Sequence, residues 1–250
     1  MHFVRFIIIL FAMLIFATPT LAVDKIQILT EQLPPFNHNE DGRITGISTT
    51  IVEAAFKRAG LDYTIKVMPW KRAVQQTDDT PNTFIYTMAR TQNRENKYIW
   101  VGKLFDRKVT LFRHRDRIEL DELSQESLHS QTKPCAMKGD ASYELLLQRG
   151  FLEYNIINSP TTHENICPKM VGEGRADFTV YNPYALAYMV ETGKLDDIFV
   201  AHSVLINEDG YYLAANPDSD PKIIKKLQQA FKELAAEGLN DKIAAEYLGY

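Results

Sequence analysis

Apolar and polar positions recur along this chain with two periods, one of two residues and one of about 3.6, and the order in which they alternate predicts the fold class. Residues 25–30, Lys-Ile-Gln-Ile-Leu-Thr, alternate as a half-buried strand. Leu33-Pro34-Pro35-Phe36 and Asn39-Glu40-Asp41-Gly42 follow as turns. Over residues 47–59, Ile51, Ala54, Ala55, Phe56 and Ala59 share one helical face, with Gly60 where a C-cap glycine belongs. Residues 63–67 read as a second strand, 71–76 as the start of a second helix after Met68-Pro69-Trp70, and 84–88 as a third strand. This alternation predicts a parallel-rich α/β sheet.

The pattern then restarts. Residues 109–112 form an extended run, and the charged segment 113–117 reads as a crossover. Predicted strands at 135–137, 154–157 and 177–181 alternate with predicted helices at 142–149, 164–172 and 184–191, giving a second, smaller α/β unit. The chain continues through 199–206 to a strand at 211–215. Pro221 suits a first helical position after Asp220, and Ile223, Ile224, Leu227, Phe231 and Leu234 recur at helical spacing up to Gly238. A last helix spans 240–248, and no solenoid repeat or low-complexity stretch interrupts the chain.

One apolar run fits neither period. Residues 6–17 carry twelve uncharged positions, short of the roughly 20 that a membrane-spanning helix needs. His2 and Arg5 precede the run, and Thr18-Pro19-Thr20-Leu21-Ala22 ends it on small residues. A basic start, a short apolar centre and a small-x-small exit predict a secretory signal peptide, residues 1–22, cut after Ala22. The predicted cut site has no cysteine for lipid attachment, so the expected mature chain starts at Val23 without stable membrane insertion. In a bacterium its compartment would be the periplasm.

Export changes how the two cysteines read. In an oxidising compartment Cys135 and Cys167 become candidates for one disulfide across a loop of about thirty residues, worth roughly 3 kcal/mol by chain entropy; two separate buried thiols are the alternative. Metal binding finds less support: His163 and Cys167 stand four apart with no second pair at ligand spacing. Composition adds exclusions. Of the 250 residues 45% are apolar and 24% charged, which excludes disorder and disulfide-dense miniproteins. The formal net charge of −4 gives no basic excess. The cluster Arg107, Lys108, Arg113, Arg115 and Arg117 is interleaved with Asp106 and Asp116 and reads as a solvated surface, not a nucleic-acid interface.

Three stretches carry a resemblance to a known family. Thr30-Glu31-Gln32-Leu33-Pro34-Pro35-Phe36 with Asp41-Gly42-Arg43-Ile44-Thr45-Gly46 is similar to an opening strand, an aromatic turn and a D-G-x-x-x-G start to the first helix. Met68-Pro69-Trp70 leading into Thr87-Met88-Ala89-Arg90-Thr91-Gln92-Asn93-Arg94 resembles a T-x-x-R signature, and Gly172-Glu173-Gly174-Arg175-Ala176-Asp177 a G-R-x-D element ending in Val180-Tyr181-Asn182. Together they resemble the extracellular solute-binding proteins, family 3, of the polar amino-acid type that serve bacterial ABC importers. The resemblance implies a periplasmic-binding-protein-like type II α/β fold, with two lobes joined by two crossing strands around a ligand cleft. Lobe 1 would be discontinuous, residues 23–111 plus 205–250, and lobe 2 would be residues 112–204.

The resemblance also implies site residues. Arg94 would grip a ligand carboxylate with its guanidinium fork, with backbone groups of Thr87 and Ala89 on the same edge; its alternative is a surface arginine in the run Arg94-Glu95-Asn96-Lys97. Trp70 would supply a flat apolar wall, with Phe36, Tyr86 and Tyr181 candidates to complete an aromatic surround. Gly139-Asp140-Ala141-Ser142 lies between a predicted strand and helix, where the amides of Ala141 and Ser142 would favour an anion and Asp140 would cap the helix. Asn182 stands where the amino-acid binders place an acid for the ligand ammonium, and Leu33 near where they place a stacking aromatic. A neutral amide supplies no countercharge, so either Glu31 provides it or the ligand carries a carboxylate and no ammonium.

The implied activity is binding by lobe closure, with no cofactor and no covalent chemistry. The implied partners are a small-molecule ligand and an inner-membrane permease or a sensor protein. Two alternatives differ in class: a periplasmic adaptor for a membrane sensor, and an enzyme resembling cyclohexadienyl dehydratases, with Glu31 or Glu173 cast as proton donor.

Overall fold

The computed structural model describes residues 26–159, 165–206 and 210–248; the expected signal peptide and its cut site lie outside them. The first sheet holds β1 (Ile26–Thr30), β4 (Tyr63–Val67), β5 (Thr83–Ala89), β6 (Ile99–Asp106) and β12 (Gly210–Ala215), in the order β4-β1-β5-β12-β6. β1 runs parallel to both β4 and β5, in register from Ile26 opposite Tyr63 to Thr30 opposite Val67, while β12 is antiparallel to β5 and β6. The second sheet holds β7 (Val109–His114), β8 (Pro134–Ala136), β9 (Ile157–Asn158), β10 (Phe178–Tyr181) and β11 (Phe199–Ile206), in the order β11-β7-β10-β8-β9. A hairpin of β2 (His38–Glu40) and β3 (Arg43–Thr45) stands beside the first sheet.

Local rules account for the helices. α1 (Ile47–Ala59) starts at Gly46, whose φ of 114° suits glycine and where a Cβ would meet the carbonyl oxygens of Pro35 and Phe36 at 2.5 Å. It ends at Gly60 in the left-handed conformation. α2 (Trp70–Asp79) follows Pro69. α3 (Gln125–Gln131), α4 (Ala141–Gln148), α5 (Ile166–Gly172) and α6 (Pro183–Glu191) belong to the second unit. α7 (Pro221–Ala236), capped by the Asp220 carboxylate on the Lys222 amide, and α8 (Leu239–Leu248) return to the first.

Each sheet has its own core. Ile28, Ile51, Phe56, Phe84, Leu213, Leu227 and Phe231 pack around the first; Leu111, Leu146, Phe178 and Leu205 around the second. The long α7 buries Ile224, Leu227, Phe231 and Leu234 at the spacing read from the sequence.

Several sequence expectations are corrected. β6 and α3 were not anticipated, and residues 154–157 form a 3-10 turn at Glu153–Asn155 followed by the two-residue β9. Arg113 and His114 belong to β7 and not to a crossover. The chain passes between sheets at Arg107 and Lys108, and returns between Ile206 and Gly210. The basic cluster is not one solvated face. Arg107 and Arg113 are buried, Arg113 bonding the Asp121 carboxylate and the carbonyls of His114 and Arg115, and Lys108 Nζ meets the Tyr184 hydroxyl at 2.8 Å.

Cys135 of β8 is joined to Cys167 of α5 by a disulfide with Cα atoms 5.3 Å apart and a sequence separation of 32. Losing it in a Cys135→Ser/Cys167→Ser variant should lower stability by about 3–4 kcal/mol by loop-closure entropy, seen as a lower denaturation midpoint than that of the oxidised protein. A second measurement probes the first core. A Cβ on Gly102 of β6 would lie 2.1 Å from the Phe231 ring of α7, so Gly102→Ala should cost about 1–3 kcal/mol by overpacking. Urea denaturation checks this, and a smaller residue at Phe231 should restore part of the loss.

Candidate functional site

Parallel strands of the first sheet end beside one another, and the loops that leave them form the edge at which an open α/β sheet takes a ligand. Across that edge stands the second sheet, and between the two lies a cavity of about 160 Å³. Since one water needs roughly 10–15 Å³ by this measure, the space suits a small organic solute. Arg94, Trp70, Glu31, Thr87, Ala89, Ala141, Ser142 and Asn182 all line it, as do Leu33 and Tyr181. Phe36 and Tyr86 do not: Phe36 stacks on Phe105 in the core at 4.9 Å, and the buried Tyr86 hydroxyl bonds Thr49 at 2.9 Å. Glu173 is exposed, paired with Arg175, and away from the cavity.

The first wall is held by a clamp at the strand ends. Thr87 has φ 59° within a break in the β5–β12 register, a left-handed conformation costly for a β-branched residue. Its hydroxyl donates to Asn37 Oδ1 at 2.5 Å, while Asn37 Nδ2 donates to the Glu31 carbonyl at 2.7 Å, tying the end of β1 to β5.

Arg94 follows in the turn after β5 and is 8% exposed, which disposes of the surface-run alternative. Its guanidinium bonds the Ala89 carbonyl and the Gly139 carbonyl of the opposite wall, each at 3.3 Å, and its central carbon lies 5.6 Å from the centre of the Trp70 ring. Among the described residues no carboxylate stands within ion-pair distance of Arg94. Trp70 Nε1 is buried without a hydrogen-bond partner.

The second wall is built from helix starts. Asp140 accepts the Ser142 amide at 2.5 Å and caps α4, so that amide is already engaged; Ala141, at the first helical position, has no intrahelical acceptor for its own. Asn182 caps α6 through Oδ1, which accepts from the amides of Tyr184 at 2.9 Å and Ala185 at 3.3 Å. Its Nδ2 is buried with no partner. Asn182 therefore has a structural duty at one end and offers a donor at the other.

Sequence reasoning missed Arg107 and Tyr211. Arg107 lines the cavity at 3% exposure, on the passage from β6 to β7. Burial pushes the Tyr211 phenol above its ordinary pKa, with the neighbouring Arg107 acting in the opposite direction. The available signal was the shortness of the link between two extended runs, legible only once residues 99–106 are read as a strand.

The two units also touch where the His38 ring of β2 lies 5.7 Å from that of Tyr188 on α6. Burial holds His38 below its usual pKa of 6.5, reinforced by Lys194 and opposed by Glu40.

Two facing α/β units around a cavity bordered by Arg94, Arg107 and Trp70 have the architecture of a binding protein, and comparison with known proteins agrees. Residues 26–250 match the bacterial extracellular solute-binding proteins, family 3, and the chain belongs to that family. No curated protein matches it. Among solved structures it resembles the arginine-, lysine-, histidine-binding protein ArtJ from Geobacillus stearothermophilus, at 16% identity and a TM-score of 0.74, covering 90% of this chain and 96% of that one. A histidine kinase sensor domain similar to periplasmic binding proteins gives 15% identity and a TM-score of 0.77 over 90% and 96%. The ancestral amino acid-binding protein AncCDT-1, a precursor of cyclohexadienyl dehydratase, gives 17% and 0.73 over 90% and 95%. At these identities the likeness establishes the fold, the periplasmic-binding-protein-like type II α/β fold.

The His38 environment yields a pH dependence. Because the folded-state pKa is lowered, its stabilisation is fully present above about 6.5 and is lost as pH falls through the depressed value. Melting temperature should therefore drop more steeply on acidification in the native protein than in His38→Asn, and equal slopes would count against this assignment.

Proposed function

We propose that this chain is an exported periplasmic receptor for a small polar solute bearing a carboxylate, bound by closure of two lobes and delivered to an ABC importer. The single observation that carries the reading is Arg94, a buried guanidinium with no acidic partner among the described residues, reaching from the first wall to the Gly139 carbonyl of the second. A charge removed from water needs a counter-ion, and a bidentate carboxylate matches the fork. Trp70 lies against the same guanidinium and offers the ligand a flat face. Thr87 and Ala89 border it, Glu31 sits at the rim of the first wall, and Ala141, Ser142 and Asn182 close the site from the second.

The lobes divide where the chain passes between the sheets, at Arg107 and Lys108 and again between Ile206 and Gly210, a few residues from the boundaries 111 and 205 that the resemblance implied, because β7 from Val109 and β11 to Ile206 pair within the second sheet. Ligand on the first lobe gains contacts from the second only when the two close, and that difference in affinity shifts the hinge equilibrium. The closed face then engages a membrane permease. Binding by closure needs neither cofactor nor covalent step; of the two acids cast as proton donor in the enzyme alternative, Glu31 borders the cavity and Glu173 does not. Likeness to a histidine kinase sensor domain supports a second reading, in which the closed form engages a membrane sensor.

Isothermal calorimetry against amino acids, small carboxylates and polyamines tests the receptor reading. A saturable carboxylate ligand is expected, and Arg94→Ala should weaken it by about 100-fold or more, the scale for removing one partner of a buried charge pair. Unchanged affinity in that variant would refute the site assignment. Consumption of prephenate or arogenate would instead support the enzyme.

A further inference from the structure

The cavity holds a second guanidinium that the Arg94 reading leaves unused. Arg107 is 97% buried, being 3% exposed, borders the cavity, and among the described residues has no carboxylate within ion-pair distance. It neighbours the Tyr211 hydroxyl. Tyr211 sits opposite Ala89 in the β5–β12 ladder, and the Ala89 carbonyl is the one that Arg94 holds at 3.3 Å. The two arginines thus stand beside facing residues of one pair of adjacent strands, Arg94 at Ala89 of β5 and Arg107 at Tyr211 of β12.

Tyr211 and Asn182 can donate beside Arg107, while the Asp140 carboxylate stands near enough to the Tyr211 phenol to push it further up. Asn182, 7% exposed, turns its Oδ1 to the amides of α6 and keeps Nδ2 without a partner. Asp140 is the acid on this wall, and the Ser142 amide and the start of α4 engage its Oδ1. A buried guanidinium, a phenol and a carboxamide N–H around one space form an acceptor's environment, and the buried cation is stable only when a negative group fills it.

We propose that Arg107, with Tyr211 and Asn182, forms a second anion subsite, and that the ligand is a small molecule with two carboxylates, one on Arg94 and the other on Arg107. This rests on the receptor reading above and specifies its ligand class. Arg107 stands on the link between the two sheets, so its carboxylate partner would be held at the hinge itself. The second charge would then contribute to closure as well as to affinity.

Calorimetry with paired probes tests the proposal: glutamate against glutamine, and glutarate against butyrate. Each dicarboxylate should bind about tenfold or more tighter than its single-carboxylate partner, and Arg107→Gln should weaken the dicarboxylate by about thirtyfold or more while changing the partner less than about threefold. Glutamate or glutarate as the tighter ligand supports the proposal equally, since the two differ in the ammonium and share the paired carboxylates. Glutamine, lysine or arginine binding more tightly than every dicarboxylate would overturn the proposal and leave the receptor reading standing, whereas no binding by any probe would defeat both. Should Arg107→Gln fail to fold, Asn182→Asp serves instead. A carboxylate there still caps α6 but replaces the free donor with a negative charge that can pair with Arg107, so dicarboxylate affinity should fall about tenfold or more while the melting temperature does not fall. Unchanged affinity in Asn182→Asp would also overturn the proposal.

Discussion

A guanidinium group enclosed between two sheets, with no carboxylate of the described residues within ion-pair distance, is the constraint around which this structure is arranged. Arg94 draws on the Ala89 and Gly139 carbonyls and on the Trp70 face. Neutral acceptors offset part of the lost hydration and leave the net charge in place. On the proposed reading, the group that completes this arrangement is an anion supplied by the ligand. Since one of the two carbonyls comes from each wall, whatever satisfies Arg94 also bears on how the walls approach.

The remainder of the site follows from strand ends and helix starts. The Thr87–Asn37–Glu31 chain of hydrogen bonds fixes the ends of β1 and β5 in relation to each other, and a left-handed threonine interrupts the ladder where the cavity begins. On the other wall, Asp140 and Asn182 are each committed to a helix terminus. Capping spends the acceptor oxygen of Asn182 inward and leaves its amide nitrogen at the cavity. The disulfide joins Cys135 of β8 to Cys167 of α5, and both cysteines border the same space. The second wall is consequently cross-linked where it borders the cavity.

Much of this was legible beforehand. The period-two runs of β1, β4 and β5 and the 3.6-residue faces of α1 and α7 appear in the sequence because one face of each element packs against a core while the other meets water. Trp70 and Arg94 were singled out through short motifs, Trp70 at the turn from β4 into α2 and Arg94 in the turn after β5. β6 escaped because its partly exposed residues give no clean alternation: Ile99, Trp100, Gly102 and Phe105 are all half-buried. With β6 unseen, the passage between sheets was placed at 113–117, and Arg107 was counted among solvated charges.

The sequence by itself determined the class of fold, two α/β units in one chain, because local periodicity and turn chemistry depend on neighbours a few residues apart. Only the tertiary structure decided which charges are in water. Arg107 and Arg115 belong to one basic cluster in the sequence, yet Arg107 is enclosed in the cavity while Arg115 meets Asp197 at the surface. Burial depends on what the second sheet and the returning β12 place over a side chain, and those elements lie up to about a hundred residues away. For that reason the charges that border the cavity are decided by the packing of the two units and not by the composition of the chain.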